Sequence, residues 1–166
     1  SKELGPVDAL VCGAAGNFLV PAEKLSANGF KSVIDIDLLG AFNSARAAFE
    51  QLKGTRGCVI FISAGMAYMP HAFQAHVGAA KAGIFGFMRC LSLEGARYKI
   101  RCNVLARVAF TRLTEDLPGM NSEGVAAKLD PSLVSPLIVY LASDLAKDVT
   151  GKTFLAGGGQ IAEMRM

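Results

Sequence analysis

Short apolar runs, each standing in front of a much longer helix-patterned segment, are the feature that most narrows what this chain can become. Residues 7–12 (Val-Asp-Ala-Leu-Val-Cys) form such a run, closed by Gly13. Residues 58–63 (Cys-Val-Ile-Phe-Ile-Ser) and 100–106 (Ile-Arg-Cys-Asn-Val-Leu-Ala) repeat the pattern. Between them the apolar residues fall at helical spacing. Phe30, Val33, Ile34, Ala41, Phe42, Ala45 and Phe49 predict a helix over about 28–52, with Ser26 as its N-cap. Ile84, Phe87, Met88 and Leu91 predict another over about 73–97. Asp130-Pro131 supplies an N-cap and a first-turn proline for a third helix ending near Ser143. Thr150-Gly151 then turns into a last strand at 152–156, followed by Gly157-Gly-Gly and a tail. Strands alternating with helices of this length give a parallel sheet with right-handed crossovers. The predicted fold class is α/β, a doubly wound parallel sheet.

Composition removes several function classes. A net charge of +3 with scattered Lys and Arg leaves no basic stripe for nucleic acid. No uninterrupted apolar run reaches the about 18 residues of a membrane span. Cys12, Cys58, Cys90 and Cys102 lie far apart without a Cys-x-x-Cys, and His71 and His76 are too few to complete a metal set. The expectation is a protein with reduced thiols and no metal, cytoplasmic in location.

Lys81 is the candidate site residue that the residues themselves single out. It sits in Gln74-Ala-His-Val-Gly-Ala-Ala-Lys-Ala-Gly-Ile, a run of tiny residues early in the second long helix. Small residues let a helix press close to a sheet or a ligand, and a cation placed there needs a partner. A strand, a loop and a helix with a cation in its first turns is how an open α/β sheet builds a site at its strand ends. Tyr68, in the intervening loop, is a candidate phenol. His71 and His76 flank the same mouth and are expected to be ordinary surface or cap residues. Phe30, Phe42 and Phe49 are expected in the core or in an oligomer interface.

Three segments carry a resemblance to a known family: Ala14-Ala-Gly-Asn-Phe-Leu-Val-Pro-Ala, Val33-Ile-Asp-Ile-Asp-Leu-Leu-Gly-Ala-Phe-Asn and His76-Val-Gly-Ala-Ala-Lys-Ala-Gly. They resemble the short-chain dehydrogenase/reductase family, most of all its peroxisomal-type 2,4-dienoyl-CoA reductases. Thr111-Arg-Leu-Thr-Glu and Phe154-Leu-Ala-Gly-Gly-Gly look more like the 3-hydroxyacyl-CoA dehydrogenase module of multifunctional β-oxidation enzymes. The resemblance implies a Rossmann-like fold, NADP or NAD as cofactor with NADP favoured, and a fatty acyl-CoA substrate. It also implies a homo-oligomer, a dimer or tetramer, in which the two long helices pack across a two-fold axis.

Carried over by position, Lys81 matches the lysine that grips the nicotinamide ribose, and Asp37 an aspartate that orients a proton-donating water. The family tyrosine falls on Val77, an absence that dienoyl-CoA reductases share. The family serine falls on Ala64, leaving Ser63 as a substitute. Gly13, Ala14 and Ala15 would approach the adenosine ribose behind Cys12, which replaces an asparagine. Val108 and Thr111 are the remaining cofactor contacts, following Arg107 where a proline is usual. Gly157 stands where an aspartate is expected. The family's opening strand and Thr-Gly-x-x-x-Gly-x-Gly turn are missing from the sequence. The expectation is therefore a C-terminal part of a dinucleotide-binding domain, whose natural polypeptide starts before Ser1. The competing reading is a non-catalytic relative that keeps the fold for assembly or acyl-CoA binding.

Overall fold

The computed structural model describes residues 3–69, 71–117, 119–120 and 122–165. Five strands form one sheet in the order β1-β2-β3-β4-β5. They are β1 (Ala9–Cys12), β2 (Cys58–Ala64), β3 (Arg101–Arg107), β4 (Thr153–Gly157) and β5 (Gln160–Met164). The first four pair in parallel, and β5 returns antiparallel to β4. This is a Rossmann-like sheet with helices on both faces.

The pleat of β2 and β3 explains why their sequences read as unbroken apolar runs. Val59, Phe61, Cys102, Val104 and Ala106 pack towards α2 (Gly40–Thr55) and α3 (Ala75–Ala96). Ile60, Ile62 and Leu105 pack on the opposite face, against Leu137 and Leu141 of α5 (Ser135–Ala142). Both faces are dry, as parallel sheets require. Each fully buried Leu, Ile or Phe contributes roughly 1.5–3 kcal/mol of transfer free energy.

The predicted 28–52 helix forms, but its register is broken in the middle. α1 (Ala27–Val33) opens with Ser26 Oγ accepting from the Gly29 N–H at 3.0 Å. The chain then widens into a π segment, Ile34–Leu39, before resuming as α2. In that segment the Gly40 N–H bonds to the Asp35 carbonyl, five residues back. The cause is visible in the spacing. Val33, Asp37, Ala41 and Ala45 are all buried and each lies four residues on from the last. Steps of four drift by about 40° around a 3.6-residue helix. The wider turn absorbs that drift and keeps Asp37 on the buried face.

α3 presses directly on this segment. A Cβ added at Gly83 would come within 2.7 Å of Leu38 Cδ2, so the run of tiny residues is a contact surface.

Two expectations at the C-terminal end need correcting. Asp130 does cap, accepting from Ser132 N–H at 2.8 Å, but it starts a single 3-10 turn, Pro131–Leu133, and α5 begins only at Ser135. The tail beyond Gly157 is not irregular: Gly158 (φ 58°) and Gly159 (φ 74°) make a two-residue hairpin turn into β5. Two successive positive φ values define the turn type that suits strand twist, and glycine adopts them without strain.

The stretch Val125–Ala142 has a mean hydropathy of 1.3, but it is divided among α4 (Val125–Lys128), the 3-10 turn and α5. Pieces of four, three and eight residues fall far short of the about 20 that a spanning helix needs.

Candidate active site

The carboxyl ends of β1, β2 and β3 open onto two adjoining cavities. The first, of about 380 Å³, lies on the α3 side and has Ser63, Val77, Lys81 and Val108 in its wall. The second, of about 370 Å³, lies on the α5 side and has Gly13, Ile62, Thr111 and Pro131 in its wall. Arg107, the last residue of β3, lines both.

At the base of the first cavity, Lys81 Nζ lies 2.9 Å from Asp37 Oδ2, with side-chain exposures of 6% and 0%. Lys81 also donates to the Ile62 carbonyl at 3.4 Å, a long contact. Asp37 Oδ1 accepts from the Gly16 N–H at 2.7 Å. The loop can close this far because Gly16 has no side chain; a Cβ there would sit 3.3 Å from Ile36 Cδ1. Thus α3, the π segment and the loop after β1 each supply one part of a buried charged cluster. Asp35, two residues away, points outward and pairs with Lys31 on the surface.

Ser63 lines the same cavity, but its hydroxyl donates to the Lys81 carbonyl at 3.2 Å. It braces the helix that carries the lysine. Val77, buried, occupies the position of the family tyrosine and offers no proton. Gln74 donates to Asn17 at 2.8 Å, and Asn17 donates to the Leu113 carbonyl at 3.0 Å. These two bonds tie the loop after β1 and the start of α3 to the 108–117 loop.

Tyr68 is placed differently from its sequence expectation. It does not line either cavity; its ring packs at 4.4 Å against Phe85, beside the α2/α3 core. Burial pushes its phenol above the ordinary 10.0, opposed by Thr153 and Arg89. A side chain so turned and so weakly acidic is a poor candidate for the proton donor.

His76 is also corrected. It is fully buried, 4.3 Å from the Phe18 ring, and neither ring nitrogen has a hydrogen-bond partner among the described residues. Burial lowers its pKa, with the Asp37 carboxylate and the Phe18 backbone pulling the other way. His71 does lie at the surface, on the rim of the first cavity.

The expected cofactor contacts divide between the cavities. Ala15, Lys81 and Val108 line the first, and Gly13 and Thr111 the second; Ala14 lies on the same loop and lines neither. Val108 N–H is already used, bonding the Ala156 carbonyl at 2.8 Å. Thr111 is joined to Thr114 through its N–H, at 2.8 Å. Among the described residues, no acid lines either cavity, whereas Lys81, Arg107 and Arg112 do. This cationic set fits an anionic ligand at the strand ends.

Gly157 explains one departure from the family pattern. A Cβ there would lie 2.6 Å from the Val108 carbonyl oxygen and 2.8 Å from Val108 Cβ. The backbone of β4 comes too close to the 108–117 loop to admit an aspartate.

Sequence reasoning missed the Gly16 N–H, the π turn and the buried state of His76. Only the π turn had a local signal, the repeated spacing of four from Val33 to Ala45.

The fold and its paired cavities define a Rossmann-like α/β protein with a lysine-bearing helix at the strand ends. The chain belongs to the short chain dehydrogenase family, whose profile matches residues 1–117. It is 38% identical over 168 residues to a peroxisomal 2,4-dienoyl-CoA reductase of Saccharomyces cerevisiae, described as producing (3E)-enoyl-CoA. That match covers 95% of this chain and 57% of the yeast protein, so the chain spans little more than half the relative's length. Among solved structures, a short chain dehydrogenase from Bacillus anthracis superposes with a TM-score of 0.82 at 34% identity, covering 96% of this chain and 66% of that one. The full-length peroxisomal multifunctional enzyme type 2 from Drosophila melanogaster gives a TM-score of 0.81 at 26% identity, over 95% of this chain and 28% of that one.

Proposed function

We propose that the protein to which this chain belongs is an NAD(P)H-dependent reductase of 2,4-dienoyl-CoA thioesters. The observation that carries the reading is the buried Asp37–Lys81 pair beneath a cavity whose family-tyrosine position is Val77. Alcohol–ketone chemistry needs a proton carrier at the carbon that exchanges hydride, and Val77 removes it. A conjugated dienoyl thioester needs none there. When bound, a nicotinamide supplies the hydride, which goes to the far end of the diene. The displaced π electrons settle on the thioester oxygen, and a proton returned near the thioester completes the reduction.

The chain's own residues have three tasks in this scheme. Lys81 holds the cofactor ribose and is itself fixed by Asp37. Asp37, which lines neither cavity, acts on the water that returns the proton through Lys81, its ion-pair partner. Met66, Met69, Phe73, Leu113 and Leu117 line the first cavity and suit an acyl chain, methionine adapting to its shape. NADP is favoured over NAD, as the resemblance to 2,4-dienoyl-CoA reductases implies.

The test is NAD(P)H oxidation by the full-length polypeptide with 2,4-dienoyl-CoA and, separately, 3-hydroxyacyl-CoA oxidation with NAD(P). Asp37→Ala should lower dienoyl turnover by about 10²–10⁴-fold. Brisk hydroxyacyl oxidation without dienoyl reduction overturns the assignment. Cofactor binding without either activity favours the non-catalytic reading, which the engaged hydroxyl of Ser63 supports.

We also propose that the chain is the C-terminal part of a larger dinucleotide-binding sheet, because among the described residues β1 has a single neighbour, β2. A dimer or tetramer through α2 and α3 is supported by a cleft of about 470 Å³ on their outer face, lined by Phe42, Phe49, Phe87 and Leu91. Light scattering of the wild type against Phe42→Asp tests this. The free thiols of Cys12, Cys58, Cys90 and Cys102 support a reducing compartment, the cytoplasm by composition and the peroxisome by the yeast relative's name. Fractionation decides between them.

A further inference from the structure

Reduction of a conjugated thioester puts negative charge on the thioester oxygen, and a site that performs it needs a donor aimed at that oxygen. Most side-chain donors lining the first cavity are already engaged. Lys81 is paired with Asp37 at 2.9 Å. The Ser63 hydroxyl is given to the Lys81 carbonyl, and the Thr114 hydroxyl to the Ala109 carbonyl at 2.9 Å. Gln74 donates to Asn17, and Asn17 donates to the Leu113 carbonyl. Two donors remain without a partner among the described residues, His71 and Arg107. His71 is exposed at the rim, whereas Arg107 is half-buried at the junction of the two cavities.

The sheet register fixes where Arg107 stands. It pairs with Ala64 on β2 and Ala156 on β4, one step beyond the Ser63–Ala106 pair. The pleat therefore sends it away from α3, and it lines both cavities from over the end of the sheet. No ion pair or hydrogen bond among the described residues engages its guanidinium. No acid faces it from the lining of either cavity. Burial lowers its pKa, yet a guanidinium keeps its charge at any ordinary pH. An unpartnered cation in a largely apolar cavity costs stability unless a ligand supplies the counter-charge.

We propose that Arg107 is the oxyanion-stabilising residue of this site, its guanidinium receiving the charge that develops on the thioester oxygen of an acyl-CoA substrate. This deepens the proposed reductase function and rests on it for the substrate class. Arg107 takes over a task for which Val77, Ala64 and Asp37 provide no free donor. The hydride brings two electrons to the far carbon, a π pair moves onto the oxygen facing Arg107, and a proton at the carbon beside the thioester returns that pair to a carbon–hydrogen bond.

Two readouts separate this proposal from the function beneath it. The first is dienoyl-CoA reduction by the full-length polypeptide. Arg107→Gln should lower kcat about 10²–10³-fold, as loss of an oxyanion donor does elsewhere, measured at saturating NAD(P)H. Arg107→Lys should recover part of the rate. The second needs no turnover. Acetoacetyl-CoA ionises to an enolate with its own ultraviolet band, and binding to the wild type should move that ionisation to lower pH. Arg107→Gln should abolish the shift.

If the wild type reduces no dienoyl-CoA but still shifts the enolate through Arg107, the reductase reading falls and the oxyanion site stands. Full activity in Arg107→Gln, or a wild type that leaves the enolate unshifted, overturns the inference. Thermal melts guard against misfolding: removing an unpartnered cation should not lower Tm. A clear fall in Tm for Arg107→Gln would make the residue structural and would likewise overturn it.

Discussion

Asp37 and Lys81 come from segments more than forty residues apart and meet at 2.9 Å with almost no solvent contact. Neither would be tolerated alone at that depth, since an isolated buried charge is far costlier than a paired one. The pair is therefore a structural commitment as well as a chemical one.

Breaking it from one side should be expensive. Lys81→Met leaves the Asp37 carboxylate buried with only the Gly16 N–H, and should cost about 3–5 kcal/mol. Adding Asp37→Leu should return much of that loss, because the uncompensated charge goes with it. Urea denaturation of both single variants and the double variant measures the coupling. Strictly additive losses would mean that the two side chains do not support each other.

Restoring the family residue at Gly157 should fail. Gly157→Asp forces a side chain into the 2.6 Å gap to the Val108 carbonyl. The strain should destabilise by roughly 1–3 kcal/mol and disturb the 108–117 loop. A lowered Tm without any gain in turnover is the expected outcome. A variant as stable as the wild type would show that β4 yields there.

His76 should make the protein acid-sensitive. Its folded pKa lies below the ordinary 6.5 because burial disfavours the charged ring. The folded state then binds fewer protons than the unfolded chain. The stability tied to this histidine is present above about pH 6.5 and lost as pH falls below it. His76→Phe should flatten that part of the profile, as read by urea midpoints on either side of the histidine pKa. An unchanged slope would place the acid sensitivity on other groups.

The thiols should separate by environment. Cys90 is exposed, while Cys12, Cys58 and Cys102 are buried, and burial pushes Cys12 up to about 11 and Cys102 to about 12. Alkylation near neutral pH should modify Cys90 first and the others only on unfolding, as peptide mass mapping would show. A raised thiol pKa gives stability that is complete below the unfolded value of 9.0 and lost as pH climbs towards 11. Early labelling of Cys12 would contradict its buried position.

Much of this was legible beforehand, for identifiable reasons. The strand cores announced themselves because parallel strands buried on both faces leave unbroken apolar runs, as in Cys58–Ala64. Lys81 stood out because a cation among tiny residues is locally anomalous. Tyr68 and His76 were misplaced because burial depends on which neighbours a short loop brings near. Phe85 and Phe18, the rings they pack against, are not readable from the loop itself.

The sequence by itself determined the alternation of strands and helices, hence the parallel sheet, the crossover sense and the end of the sheet at which a site could form. Periodicity and turn chemistry are local properties, and they suffice for that. Only the tertiary structure decided which polar groups are engaged and which are free. The π turn brought Asp37 to Lys81, the register beside Ala64 set Arg107 between two cavities, and the close passage of Gly157 by Val108 excluded a side chain. Each of these depends on distances between segments far apart in the chain, and those distances exist only once the helices are seated on the sheet.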